Sequence, residues 1–294
     1  MPVSAASGDG GPRPRDLVRL HLAVAGFGFA GVFGKLIGFG PAAIVAGRAA
    51  FAALAIALAL VLGGRAGAIL PRGGRERFGL GLGLLLAVHW WTFFQAVQVA
   101  TVGIALVSFS TAPILLLAME ALRRRRWPGL RPALASLLAL VGVLVIAPSL
   151  RWSDASVRGM AWGMASGGTY ALLVLLNRPL VAEGSPWRLA LWQNAVAALV
   201  LSPALVSLPR RPALGEWGLM ALLGVVFTAG THGLFLRSIR TVKAHLAVLT
   251  CTLEPAYGMA AAAVILGERP AARTLLGAAL IAAAVVMEHR GEAG

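Results

Sequence analysis

The chain has 294 residues, of which 59% are hydrophobic and 13% charged. That charged share is about half the roughly 25% of a water-soluble domain, and apolar runs of about twenty residues recur along the whole length, each long enough to cross a bilayer core. Uniformly apolar runs exclude barrel strands, which would alternate. The net charge of +15 does not name nucleic acid as a partner, because Arg and Lys sit mainly between the runs, where membrane topology places them.

Residues 1–16 open with "MPVSAASGDGGPRPR", a Pro-, Gly- and Ser-rich composition expected of a disordered tail. The apolar run that follows is longer than a signal-peptide core and lacks a small-residue cleavage site, so it reads as a retained first span. The expected fold is all-α and polytopic, with ten transmembrane helices at 17–39, 41–62, 79–100, 102–121, 131–149, 157–177, 188–206, 214–235, 243–264 and 273–290. Connections are short. A lone cysteine, Cys251, excludes an intramolecular disulfide and a zinc cluster. No cofactor or metal is implied, and the absence of a Walker loop and of H-E-x-x-H argues against chemistry driven by nucleotide or zinc within this chain.

An even number of spans puts both ends on one face. That face carries Arg13, Arg15 and Arg19, then Arg65, Arg72, Arg75 and Arg77, then Arg123 to Arg126 and Arg131. Arg178, Arg188, Arg237, Arg240, Lys243 and Arg290 complete it. The opposite face carries only Lys35, Arg151, Arg158, Arg210, Arg211, Arg269 and Arg273. The excess places both termini in the cytoplasm of a cell with this protein in its inner membrane. Trp127, Trp152, Trp187 and Trp217 fall near span ends, as an interfacial aromatic belt requires.

Sliding the chain by 142 residues, the distance from Pro113 to Pro255, also pairs Phe93 with Phe235, Ala105 with Ala247 and Ala118 with Ala260. Pro128 then meets Pro270, and Arg131 meets Arg273. The expected organisation is two five-helix repeats, 17–149 and 150–290, followed by a tail at 291–294. A repeat with an odd number of spans inserts its second copy upside down. Inverted repeats are a hallmark of secondary transporters, whose substrate site lies between the halves near mid-membrane.

Ten spans, two five-span halves and a fourth-span proline resemble the drug/metabolite transporter superfamily, specifically its EamA-type members. The stretch "LEPAYGMAAAAVILGERPAARTLLGAALIAAAVV" is similar to that family's most recognisable segment through Glu254-Pro255, Gly267-Glu268 and Gly277. The first half departs from it: Ala112 replaces the acid before Pro113, and Arg126 stands where the second half has Glu268. Within the family, "HWWTFFQAVQVATVGIALV" (His89 to Val107) looks most like the YddG-type amino-acid exporters. The resemblance implies a carrier working by alternating access that exports aromatic and other neutral amino acids.

Candidate substrate residues follow from polarity in apolar surroundings. Glu254 is about eleven residues into its span, roughly 16 Å deep at 1.5 Å per residue, and a charge there marks a functional site by default. Two readings stand: a cavity wall meeting a substrate ammonium or a proton, or a carboxylate that locks two helices. Pro113 and Pro255 each remove a helical hydrogen bond, giving each half a gating bend or a static kink. In the third span, Trp91, Gln95 and Gln98 share one face, with His89 and Thr92 on its neighbour.

Trp162, Ser166, Thr169 or Tyr170, and Asn177 make a stripe in the sixth span, and Thr250, Glu254 and Tyr257 one in the ninth. In the eighth, Thr228, Thr231, His232 and Phe235 line up. Trp90, Trp91, Trp162, Tyr170 and Tyr257 suit an aromatic ring, and His89, Gln95, Asn194 and Glu254 suit the polar end of a zwitterion. Arg48, about 10 Å from the outer surface by its position in the second span, is a candidate partner for a carboxylate, either that of Glu254 or that of a substrate. Lys35 is read as snorkelling to the interface, and Glu120 as balancing Arg123 to Arg126.

Two motifs point elsewhere. "GFGFAG" (Gly26 to Gly31) fits a dinucleotide fingerprint but lies inside an apolar span with no preceding strand, where small residues serve close helix approach. "MASG" (Met164 to Gly167) nearly fits an intramembrane serine protease motif, with a Ser166–His232 dyad as the alternative of a different class. Other metabolites or a cationic drug are the alternatives on the same fold. Oligomeric state is open.

Overall fold

The computed structural model describes residues 14–71, 73–126, 129–146 and 154–292. Residues 1–13 of the expected tail, Arg72, Trp127, Pro128, Arg151, Trp152 and residues 293–294 lie outside them. No strand occurs among the described residues. Among the described residues, seven helical stretches are long and apolar enough to cross a membrane: Pro14–Leu36, Pro41–Leu62, Glu76–Val99, Val102–Arg124, Ala155–Glu183, Leu214–Ser238 and Ala244–Leu266. Shorter apolar stretches are Leu130–Gly142 and Ala272–Ala284.

The first helix, α1 (Pro14–Leu36), starts inside the segment expected to be tail. Pro14 opens it, where a missing N–H costs nothing. Asp16 holds the turn in place: its carboxylate accepts from Arg19 at 2.6 Å and from Thr241 at 2.9 Å, 225 residues away. Helix α2 (Pro41–Leu62) likewise begins with a proline. Helix α3 (Gly74–Val99) ends at Ala100, whose carbonyl accepts from Lys35 Nζ at 2.7 Å. Lys35 is thus an exposed cation on a helix C-terminus.

The fourth apolar run is two helices, α4 (Val102–Phe109) and α5 (Ala112–Arg124), followed by α6 (Leu130–Ile146). Helix α7 (Ala155–Glu183) leads to α8 (Pro186–Leu201) and the one-turn α9 (Pro203–Val206), where Pro203 interrupts the expected 188–206 span. Next come α10 (Leu214–Gly224), a π-turn (Val225–Gly230) and α11 (Thr231–Ser238), which run on as one stretch. Helices α12 (Ala244–Cys251), α13 (Glu254–Leu266) and α14 (Ala272–Glu292) complete the chain.

The 142-residue offset recurs in three dimensions. It carries both ends of α4 onto those of α12, both ends of α5 onto those of α13, and the start of α6 onto that of α14. It also matches two left-handed helix ends, Arg125 (φ 50) and Gly267 (φ 68). The second copy has the glycine this conformation favours, and the first tolerates it with an arginine. Packing partners also exchange: α3 lies on α7 and α8, while α11 lies on α1 and α10 on α2. Helix α7 packs along α4 and α5, as α1 packs along α13. Helix α2 meets α8, and α6 meets α14.

Close approach at these crossings depends on glycine. A Cβ on Gly28 would stand 2.8 Å from Glu254 O and 2.9 Å from Tyr257 Cβ, and one on Gly167 would stand 2.7 Å from Phe109 O. Small residues in "GFGFAG" therefore let α1 settle against α13. The Phe109 carbonyl is the one that Pro113 deprives of its helical N–H, and at Gly167 it meets backbone rather than a side chain.

Candidate functional site

The juxtaposition of Glu254 and Pro255 has a local explanation. The chain does not carry them mid-helix: α12 ends at Cys251, tightens through Thr252 and Leu253 with bonds to carbonyls three residues back, and restarts at Glu254. A mid-helix proline costs about 3 kcal/mol or more, whereas one at the first turn occupies a position whose N–H has no helical partner anyway. A carboxylate at that same N-terminus sits where the helix dipole favours it, worth roughly 0.3–1 kcal/mol when exposed and more when buried. Ala112 and Pro113 open α5 in the same way, without the acid.

A cavity of about 50 Å³ lies where α1, α2, α3, α7, α11 and the breaks before α5 and α13 converge. From α3 it is lined by Leu86, His89, Trp90 and Phe93, and from α7 by Tyr170, Leu173, Val174 and Asn177. Both sets follow the i, i+3, i+4, i+7 spacing of a single helix face. Phe109 closes it at one break and Glu254 at the other, while Phe27, Phe235 and His232 come from α1 and α11. The volume admits a few waters.

Four of the nine expected substrate residues, His89, Trp90, Tyr170 and Glu254, line this cavity. Asn194 stands one bond behind it, its Nδ2 3.3 Å from His232 Nδ1. The other four point elsewhere. Trp91 and Trp162 meet edge to face at 5.3 Å, and Tyr257 packs under Gly28. Gln95 is partly exposed and absent from the lining. Gln98, on the same face, donates to Phe39 O at 2.6 Å.

Glu254 is 4% exposed and stands at the restart of α13, three residues after the buried Cys251. Cys251 Sγ lies 3.0 Å from the Tyr170 hydroxyl, which ties the end of α12 to α7. Glu254 and Arg48 line the same cavity and form no ion pair with each other. Arg48 is 2% exposed. Its Nε donates to Thr228 Oγ1 at 2.9 Å, its Nη2 approaches Phe227 O at 3.4 Å, and its guanidinium carbon sits 4.3 Å from the Trp90 ring centre. Arg48 makes no ion pair among the described residues.

The Ser166–His232 dyad does not form. Ser166 Oγ lies 3.0 Å from Nδ1 of His89 and donates to His89 O at 3.1 Å, and that same Nδ1 lies 3.0 Å from Ser166 O. The mutually consistent assignment has the imidazole N–H and the serine O–H each donating to the other residue's carbonyl. That leaves no base on the hydroxyl, as a nucleophile needs. The bonds clamp α3 to α7. Elsewhere, Glu120 stands 3.9 Å from Arg124, an exposed i,i+4 pair of little weight. Arg210 makes a two-point bond to Glu216, 2.7 Å on each oxygen, and lies over Phe39. That bond raises the Arg210 pKa above its ordinary value.

The EamA-like transporter family model matches residues 18–147 and again 157–287. An uncharacterized transporter of Archaeoglobus fulgidus is 26% identical over 216 residues, covering 73% of this chain and 77% of that one. The uncharacterized transporter YxxF of Bacillus subtilis is 22% identical over 216 residues, covering 71% of this chain and 68% of its own. One crystal structure shares the fold at a TM-score of 0.74 with 17% identity, covering 94% of this chain and 96% of that one. With both halves matched and a polytopic helical fold around a mid-chain cavity, the chain belongs to the EamA-like transporter family, a multi-pass membrane transporter and not an enzyme.

Proposed function

We propose that this transporter exports aromatic and other neutral amino acids from the cytoplasm by alternating access. Ten spans act as two inverted five-helix repeats, 17–149 and 150–290, with both termini cytoplasmic in the inner membrane. The observation that carries the reading is the lining of the cavity. Glu254 stands at the restart of α13, beside the rings of Trp90, Phe93, Phe109 and Tyr170 and the imidazole of His89. Rings provide faces for an aromatic side chain and for an ammonium, and the carboxylate provides its counter-charge. The exchange of packing partners between halves, and the helix breaks repeated at one offset, support two near-equivalent units that trade conformations.

A lipophilic cation is the second reading, favoured by the same acid and rings. Arg48, which lines the same cavity and makes no ion pair among the described residues, disfavours it. Counterflow of labelled phenylalanine and threonine into liposomes holding the purified protein tests the proposal. Uptake of amino acids is expected. Uptake of only a lipophilic cation would replace the first reading with the second.

A further inference from the structure

We propose that Arg48 is the specificity residue of this cavity: it recognises a substrate carboxylate, and it waits for it on the π-turn of the eighth span. The inference deepens the amino-acid reading above and rests on it. A guanidinium stays protonated and carries five N–H donors with no acceptor. Arg48 is 2% exposed and lines the cavity. Among the described residues its only hydrogen bonds are those to Thr228 Oγ1 and Phe227 O, the second long at 3.4 Å, and Nη1 has none. Buried charges are ordinarily paired, and a carboxylate matches the guanidinium fork with two parallel bonds.

Everything that holds Arg48 at present is neutral. The Trp90 and Phe94 rings lie 4.3 and 5.3 Å from its guanidinium carbon. Thr228 hands its own proton to Leu223 O at 2.7 Å, five residues back, so its oxygen is left to accept from Arg48. Both acceptors belong to Val225–Gly230, a π-turn of six residues inside a continuous stretch, and π-turns inside helices are frequent at functional sites. These contacts orient a cation without neutralising it. Glu254 lines the same cavity and forms no ion pair with Arg48, so the acid and the base of the cavity stay separate. Such separation suits the two ends of a zwitterion and does not suit an amine that lacks a carboxylate.

The test uses thermal stabilisation of the purified full-length protein by three probes: phenylalanine, 3-phenylpropionate (no ammonium) and phenethylamine (no carboxylate). The two carboxylates are expected to stabilise the wild type at concentrations at least about 100-fold below the amine, since a site built to hydrogen-bond a group strongly rejects the analogue lacking it. Arg48→Gln is expected to lose that preference. Thr228→Val keeps the guanidinium, frees it from one tether, and is expected to keep the preference with equal or tighter binding, so it decides the case if Arg48→Gln does not fold. Stabilisation by phenethylamine equal to that by phenylalanine, or an Arg48→Gln protein that still prefers carboxylates, overturns the proposal. Binding of 3-phenylpropionate without phenylalanine upholds Arg48 and removes the amino-acid reading. Binding of neither carboxylate removes both.

Discussion

The phenol of Tyr170 stands 3.0 Å from Cys251 Sγ. This contact fastens the end of α12, just before the break in the ninth span, to α7. Glu254, three residues on at the restart, lines the cavity. Glu254→Gln keeps the shape of the side chain, so thermal stability is expected to hold. Amino-acid transport is expected to fall by about 30-fold or more in kcat/KM, the scale of losing one partner of a buried charge contact. Proteoliposome kinetics measure this, and unchanged kinetics would reduce Glu254 to a helix lock.

The two prolines make a separate prediction. Pro113 and Pro255 each open a half-span after a turn closed by bonds three residues back. Alanine at either position restores an N–H that reaches the carbonyl four residues earlier and straightens the break. Pro255→Ala and Pro113→Ala are each expected to slow turnover several-fold with KM within about twofold, because a gating step is altered and the cavity is not. Transport kinetics that match the wild type would leave both as static kinks.

Much of this organisation is legible in the residue order. Pro113 and Pro255 alone disclose the offset that the helix ends at Phe109 and Cys251 obey. The apolar lengths disclose the membrane class. Less legible was which face of each helix turns inward. The polar stripe Trp91, Gln95 and Gln98 suggested the lining of the third span, yet the inward face is the mostly apolar set Leu86, His89, Trp90 and Phe93. Polarity misled there because Gln98 is used up on the Phe39 carbonyl, a packing role that periodicity does not distinguish from a ligand. His232 and Phe235, which share a stripe with Thr228 and Thr231, do turn inward. The pairing of Arg48 with a π-turn 180 residues away has no signature in the sequence at all.

That distinction between faces is itself testable. Trp90→Ala removes a ring from the cavity and is expected to raise KM for phenylalanine about tenfold, the scale of one lost stacking contact. Trp91→Phe changes a ring that meets Trp162 outside the lining and is expected to leave KM within about twofold. A reversal of the two effects in transport assays would put the wrong face of α3 inward.

Packing at Gly28 makes a stability prediction. Gly28→Val drives side-chain atoms into the Glu254 carbonyl and Tyr257 Cβ. Overpacking of this kind costs about 1–3 kcal/mol, and at roughly 2–4 °C per kcal/mol the melting temperature in detergent is expected to drop by several degrees. Gly40→Ala, where a Cβ meets nothing within 4 Å, is the control and is expected to melt with the wild type. An unaltered Gly28→Val protein would mean that α1 and α13 do not cross so closely.

The account depends most on the two halves being inserted in opposite directions. Single cysteines introduced as Gly8→Cys and Gly291→Cys mark the two ends, and Gly40→Cys and Arg211→Cys mark two connections assigned to the outer face. The native Cys251 is 1% exposed and supplies the unreactive background. A membrane-impermeant maleimide applied to intact cells is predicted to label positions 40 and 211 and to spare 8 and 291 until the membrane is opened. Labelling of 8 and 291 from opposite sides would contradict the inverted arrangement.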